Sequence, residues 1–562
     1  MADTEQIPAH ILEFARKLQV AFRAQEKHLE IPEILTRYGF YEYGLGRSGG
    51  RSGSDVASAS DLRLHVAPAR QAAMGVHLAG LEGGVLKILS ASSVSARLQA
   101  ELMALLNRGK LKVVDVEVVP TGRAEFNRVV RQQAEVSSER LVRTFSELAA
   151  KSDDPELIES AIRDIFSEAL QLRASDIHLD VGLDDAGNWI DYRIDGDCRK
   201  MHLLPVRVMA PIITRLKTDA KLDAAERRRD QDGHIEFEWQ GRSIDIRVAT
   251  IPKEPRGEKL TLRLLDSENL RTYEDLFGRV PEIAKRLRRP LRSSIKDGGL
   301  ILLSGPTGSG KTTSLFAMTM EIDRILRKVF SAEAPVEYRM PLVEQVACGD
   351  GTMMTMGSAV RAFMRQDPDV IVLGEFRDEE TAEAGIRAVE SGHLVLGTAH
   401  APNAADTLAR VHGFIPDGYR NAGLQTLIGS LVCVLNQRLV KTVCRACRRI
   451  VPAEEAMGAA GCDAFGYLRD ADVAVVNPDG CEVCQGTGYV GRELVLEALF
   501  PPEDPRSRRD MVARVRETGF SGLREVDGTF WLRRQESIKE LVLEQLVDAR
   551  MAVSLSDELA AA

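Results

Sequence analysis

LILLSGPTGSGKTTSLFAMTMEI, Leu300 to Ile322, is the stretch whose reading decides the fold. Its apolar start reads as a buried strand, GPTGSGKT turns on its glycines, and TSLFAMTMEI continues with helical spacing. Gly305 to Thr312 matches GxxxxGK followed by Ser or Thr. In that pattern Gly305, Pro306, Thr307, Gly308, Ser309 and Gly310 form a loop whose backbone N–H groups wrap a phosphate chain at a helix N-terminus. Lys311 reaches the β and γ phosphates, the Thr312 hydroxyl holds Mg²⁺, and Thr313 completes the ATP-binding set. The other reading, a glycine-rich turn with an incidental lysine, does not account for the strand before it or the helix after it.

Downstream, strands and helices alternate to about Gly413, the pattern of an α/β domain with a parallel sheet covered on both faces. VIVLGEFRD, Val370 to Asp378, is a buried strand that ends in a carboxylate. ATP-hydrolysing folds deliver Asp-Glu to magnesium from such a strand; here Gly374 stands at the Asp position and only Glu375 remains. By itself, a Glu after a strand is more often a solvated strand end. The chain after Gly413 reads as mostly helical, interrupted by a cysteine segment, with helices expected over 500–562.

Upstream, strands outnumber helices from ASDIHLD (Ala174 to Asp180) to EKLTLRLLD, which predicts a sheet with helices on one face over 139–268. Residues 1–43 read as an amphipathic helical segment. GLGRSGGRSGSDVASAS, Gly44 to Ser60, cannot build a core and reads as a flexible linker over 44–60. Residues 61–138 read as a small α/β domain.

The chain has 562 residues, too many for one core, so several domains are expected. With 44% hydrophobic and 28% charged residues and a formal net charge of -9, nothing global points to nucleic acid. KRLRRPLRSSIK, Lys285 to Lys296, lacks interleaved aromatics and reads as a solvated helix face rather than a nucleic-acid patch. MADTEQIPAH has no apolar core and does not read as a signal peptide. No run approaches a membrane span, so a membrane is reached only through partners.

Eight cysteines are too few for a disulfide scaffold in a chain this long. Four of them, Cys444, Cys447, Cys481 and Cys484, form two CxxC pairs 33 residues apart. That spacing lets four thiolates share one tetrahedral Zn²⁺ within a module over 441–495. Four buried or redox thiols would be the plainer reading. Cys198, Cys348, Cys433 and Cys462 show no ligand spacing.

RAFMRQDPDVIVLGEFRDEETAEAGIRAVESGHLVLGTAHAPNA, Arg361 to Ala404, closely resembles the defining stretch of the type II secretion and type IV pilus assembly ATPases, which carry Gly-Glu where others have Asp-Glu. SAEAPVEYRMPLVEQV is similar to that family's acidic box, with Glu333 and Glu337 in matching places and Ala334 where an Asp is usual. The resemblance implies that Glu333 and Glu375 together orient the attacking water and hold Mg²⁺. SGHLVLGTAH resembles its histidine box, implying that His400 senses the γ-phosphate and that His393 is structural. Each histidine alone would read as a core or turn residue.

DIRVATIPKEPRGEKLTLRLLD, Asp245 to Asp266, is similar to the segment before the family's motor domain, which makes Arg247 and Arg263 its phosphate-contacting arginine fingers. Strand arginines elsewhere usually pair with surface carboxylates. LRASDIHLD and LDAAERRRDQDGHIEF also match, apart from Asp230 where a Pro is usual. NQRLVKTVCRACRR and GCEVCQGTGYVGRELVLEAL resemble the tetracysteine insertion that marks the assembly and secretion members.

The resemblance implies a RecA-like ATPase domain over 269–562, preceded by a PAS-like α+β domain and an N-terminal docking domain. It implies a cytoplasmic homohexamer that uses ATP, Mg²⁺ and Zn²⁺ and acts on an inner-membrane platform protein and its assembly complex, with no direct nucleic-acid partner. Two other readings stay open at this stage. One is a relative that powers conjugation or DNA uptake; the other is a nucleotide-gated scaffold that does not hydrolyse, conceivable because of Ala334.

Overall fold

A computed structural model of the protein describes residues 9–23, 57–58, 77–82, 85–90, 113–120 and the single positions 99, 102, 103 and 106. It also describes 140–560 except 183–187, 240–241, 255–256, 267–269, 294–297, 350–351 and 466–467. Most of the expected linker 44–60, and the 1–43 segment outside the helix Ala9–Arg23, lie outside the described residues.

The first sheet has four strands in the order β1 (Ala57–Ser58), β2 (His77–Glu82), β3 (Val85–Ser90) and β4 (Asp115–Pro120). Leu78, Leu81, Leu86, Ile88 and Val116 form its small core. Because Ala57 pairs with Leu81 and Ser58 with Gly80, the sheet begins inside the stretch expected to be linker. Small residues such as Ala and Ser carry no strand signal of their own, so composition misplaced that boundary.

The second unit is an antiparallel sheet of β5 (Ala174–Val181), β6 (Trp189–Ile194), β7 (Asp197–Leu203), β8 (Gln231–Trp239), β9 (Arg242–Lys253) and β10 (Gly257–Leu265). Their spatial order is β7-β6-β5-β10-β9-β8. Side chains alternate between faces along each strand. Ile177, Leu179, Ile246, Val248, Leu260 and Leu262 therefore point one way, into a core shared with the helices Pro155–Gln171 and Val206–Asp219. The intervening residues, among them Asp176, Arg247 and Arg263, occupy the opposite face.

The third unit is an eight-stranded sheet: β11 (Gly299–Ser304), β12 (Val329–Glu333), β13 (Val343–Ala347), β14 (Val370–Leu373), β15 (Leu394–Ala399), β16 (Leu431–Val443), β19 (Tyr489–Phe500) and β20 (Phe530–Leu532). The order is β13-β12-β14-β15-β11-β16-β19-β20. The first six strands run parallel; β19 pairs antiparallel with β16, and β20 antiparallel with β19. Leu300, Leu302, Ile371 and Leu373 join the core on one face, while Ile301, Leu303, Val370 and Val372 join that on the other. Burial on both faces is why these strands read as continuous apolar runs. Each such side chain contributes about 1.5–3 kcal/mol over its exposed state.

The region after Gly413 corrects the expectation of a mostly helical tail. β16 and β19 are long, paired strands, and the cysteine segment is an insertion between them. It carries an antiparallel pair, β17 (Arg449–Pro452) and β18 (Asp472–Val475), joined through the helix Ala453–Ala464, and shares a core with the helices Arg534–Leu543 and Ala549–Ala560. The polar residues Asn436, Gln437 and Lys441 within β16 interrupt its apolar pattern and hide the strand.

Candidate functional site

β11 ends at Ser304 and the helix Lys311–Met320 begins seven residues later, so the glycine loop bridges strand and helix. Gly305 has φ 139°, and a Cβ there would lie 2.2 Å from the Gln437 carbonyl oxygen. No other residue fits that close approach. Gln437 Nε2 also donates to the Ser309 carbonyl (2.8 Å), so β16 supports the loop from beneath. Thr312 and Thr313 stand half-buried in the first turn of the helix. The Lys311 ammonium donates to the carbonyls of Gly305 (2.9 Å) and Pro306 (3.1 Å) and lies 3.5 Å from His400 Nδ1. Burial pulls its pKa below the ordinary lysine value, against the opposing pull of Glu375 and Glu337.

Glu333, Glu375 and His400 sit at or just past the carboxyl ends of β12, β14 and β15, three parallel strands. This is the end of an open α/β sheet where ligands bind. Glu333 is buried, and its Oε1 accepts from Ser331 Oγ (2.7 Å) and Gln345 Nε2 (2.9 Å), which fix its orientation. Glu375 is partly exposed, with Oε1 3.6 Å from His400 Nε2. Lys311, His400 and Glu375 thus form a line of basic, imidazole and acidic groups beside the glycine loop. His393 does not reach it; its Nδ1 lies 2.8 Å from the Ala388 carbonyl.

The Gly at position 374 has a steric cause. A Cβ there would come within 3.2 Å of the Ala332 carbonyl oxygen and Met356 Cε, and 3.3 Å of Glu333 Cα. A side chain at 374 would therefore press on the backbone of β12, which glycine avoids. Ala334, just past Glu333, is exposed.

Arg247 and Arg263 are cross-strand partners on β9 and β10. The sheet face they share meets the motor domain, where Arg247 Nη2 donates to the Val336 carbonyl, in the segment between Glu333 and Glu337. Arg263 Nε donates to Asp176 Oδ1 (3.0 Å); this bond is the main reason its pKa is raised, and the Glu337 charge adds to it. The structure brings both arginines to the acidic box and shows both with protein partners.

The four module cysteines converge, all four sulfurs lying within 4.8 Å of one another. Cys444–Cys481, Cys447–Cys484 and Cys481–Cys484 sulfurs are each 3.8 Å apart. A tetrahedron with Zn–S bonds of about 2.3 Å has edges of about 3.8 Å. The backbone N–H groups of Cys481 and Gly488 point at Cys484 Sγ (3.0 and 3.1 Å), as suits a thiolate. The donor set therefore fits zinc. The root of this module touches the arginine-bearing domain: Gly491 N donates to Asp195 Oδ2 (2.8 Å) and Lys441 Nζ to Asp197 Oδ2 (2.5 Å).

Ser331, Gln345 and Asp176 lie in stretches that match the family, but sequence reasoning gave them no role: Gln345 and Asp176 act on residues of neighbouring strands, and Ser331 on Glu333 two positions along its own strand. A cleft of about 400 Å³ is lined by Glu274, Lys285, Arg288 and Arg292, away from the glycine loop. Arg288 and Arg292 of its lining pair with Glu274 and Glu321, and Arg286 and Arg289 of the same helix pair with Glu282 and Glu503.

The type II/IV secretion system protein family model matches residues 151–541. Type II secretion system protein E of Aeromonas hydrophila is 36% identical over 406 residues, covering 68% of this chain and 77% of that relative. Type II secretion system protein HxcR of Pseudomonas aeruginosa is 33% identical over 427 residues, covering 74% and 84%. The solved structure of the Legionella pneumophila ATPase DotB superposes with TM-score 0.51 at 20% identity over 71% of this chain and 95% of that one, a likeness of fold. With a glycine loop, paired acids and a histidine at one end of a parallel sheet, the chain belongs to the type II/IV secretion system protein family and is an ATP hydrolase.

Proposed function

We propose that the chain is the hexameric motor that couples ATP hydrolysis to assembly of a type IV pilus or a type II secretion pseudopilus. The observation that carries this reading is the contact of Arg247 with the Val336 carbonyl across the domain boundary. Phosphoryl transfer is catalysed mainly by positioning and charge neutralisation. Lys311 neutralises the phosphates, Glu333 and Glu375 orient the attacking water, and His400 reports on the γ-phosphate. Arg247 and Arg263 add the last positive charge only when the α+β domain is docked. Hydrolysis then depends on a domain position, which is what a motor needs. The Thr312 hydroxyl and the carboxylates are hard oxygen donors suited to Mg²⁺, which when bound offsets phosphate charge.

The domain plan follows: 61–138 docks on the assembly complex, 139–268 presents the arginines, and 269–562 is the motor. No helix among the described residues is long and apolar enough to cross a membrane. The motor acts from the cytoplasm on an inner-membrane platform protein. Names of relatives such as type II secretion system protein E support a role in a secretion system.

In the host, Glu375→Gln at unchanged protein level abolishes pili or the release of secreted proteins. A defect confined to DNA transfer, with pili and secretion intact, supports the conjugative reading instead. Cys444, Cys447, Cys481 and Cys484 hold zinc, which when bound cross-links the loop between β16 and β19. Metal analysis of the purified chain yields about one zinc per protomer, and Cys447→Ser with Cys484→Ser removes it. A folded, metal-free wild-type chain contradicts the zinc assignment.

A further inference from the structure

One transverse row in the motor sheet departs from its apolar surroundings. Ser304, the last residue of β11, is the register partner of Asn436 on β16, which is in turn the partner of Glu497 on β19. All three are buried. Asn436 Nδ2 donates both to Ser304 Oγ (2.9 Å) and to the Ala401 carbonyl (2.9 Å). Ser304 precedes the glycine loop that carries Lys311, and Ala401 follows His400. One carboxamide therefore ties the root of the phosphate loop to the turn bearing the histidine.

The direction of that carboxamide is set from behind. Arg534, 5% exposed at the start of the helix Arg534–Leu543, donates from Nη2 to Asn436 Oδ1 (2.6 Å) and to the Pro402 carbonyl (2.7 Å). A guanidinium only donates, so Oδ1 must face it and Nδ2 must face Ser304 and Ala401. Glu497 Oε2 lies 3.4 Å from Arg534 Nη2 and balances the charge. Thr407 Oγ1 completes the arrangement by donating to Ser304 Oγ (2.6 Å). Arg534 Nε and Nη1 are buried with no hydrogen-bond partner among the described residues.

We infer that Asn436, oriented by Arg534, is a positioning residue for ATP hydrolysis that holds the His400 turn in register with the phosphate loop. The inference rests on the role proposed for His400 above. It also gives the helix Arg534–Leu543 a mechanical route to the site: displacing the helix removes the donor that orients the carboxamide.

The test uses the full-length protein. Asn436→Asp keeps the shape and the contact with Arg534, but sets a carboxylate oxygen against the Ala401 carbonyl. Steady-state turnover falls about 100-fold, the scale of a small misplacement of reacting groups, while KM and the dissociation constant for a fluorescent ATP analogue change less than about threefold. Asn436→Ala, which introduces no charge, gives the same split, so a failure of one variant to fold leaves the other as the test. In combination with His400→Ala, Asn436→Asp adds no further loss, because both act through one group. Turnover within twofold of wild type for Asn436→Asp and Asn436→Ala overturns the inference, as do losses that multiply with His400→Ala. If His400→Ala itself turns over normally, the proposed role of His400 fails, a result distinct from silent Asn436 variants beside an impaired His400→Ala.

Discussion

Lys311→Ala lowers magnesium-dependent phosphate release by about 1,000-fold or more and weakens nucleotide binding as well. Its ammonium is the only cation within the glycine loop, and it is already aimed inward by the Gly305 and Pro306 carbonyls. Removing one preorganised charge donor from such a site costs about 100- to 1,000-fold in turnover, and loss of ground-state binding adds to that. The fold tolerates the change, because the lysine's hydrogen bonds go to its own loop and it packs in neither motor core. A thermal melt run beside the phosphate assay separates the two effects. Wild-type phosphate release by Lys311→Ala would remove the loop from the mechanism.

Arg247→Ala leaves nucleotide affinity near wild type and lowers turnover by about 1,000-fold, the lower end of what arginine fingers contribute. The split follows from where the residue sits. The glycine loop belongs to the motor domain, whereas Arg247 lies on β9 of the α+β domain and holds the Val336 carbonyl. Arg263 is steadied by Asp176, so Asp176→Asn reproduces part of an Arg263→Ala defect without touching substrate. Binding measured by titration with a fluorescent analogue, together with single-turnover cleavage, distinguishes the roles. Equal loss of affinity and turnover would make Arg247 a structural residue.

Much of this was readable from the chain alone because the chemistry is local. Gly305 to Thr312 is one continuous segment, and each strand of the parallel sheet is buried on both faces, so it announces itself as an apolar run. Glu375 read as a strand end, whereas Glu333 and His400 were named only through the family resemblance; the structure places all three at or just past the ends of parallel strands. What stayed hidden is what pairs across strands. Gln345 on β13 orients Glu333 on β12, and Asn436 and Glu497 face each other 61 positions apart in sequence. The β16–β19 ladder was missed for the same reason: its polar members make sense only opposite their partners. The reason for Gly374 also needed coordinates, since the atoms that crowd it come from β12 and from Met356.

The central claim is that hydrolysis waits on guanidinium groups delivered by a separate domain. A structure of the assembled protein with magnesium and a non-hydrolysable ATP analogue tests it most directly. The account predicts Arg247 or Arg263 within hydrogen-bond reach of the terminal phosphate in at least one protomer, in a domain arrangement that brings β9 and β10 over Glu333. Both arginines turned away from the nucleotide in every protomer would contradict it.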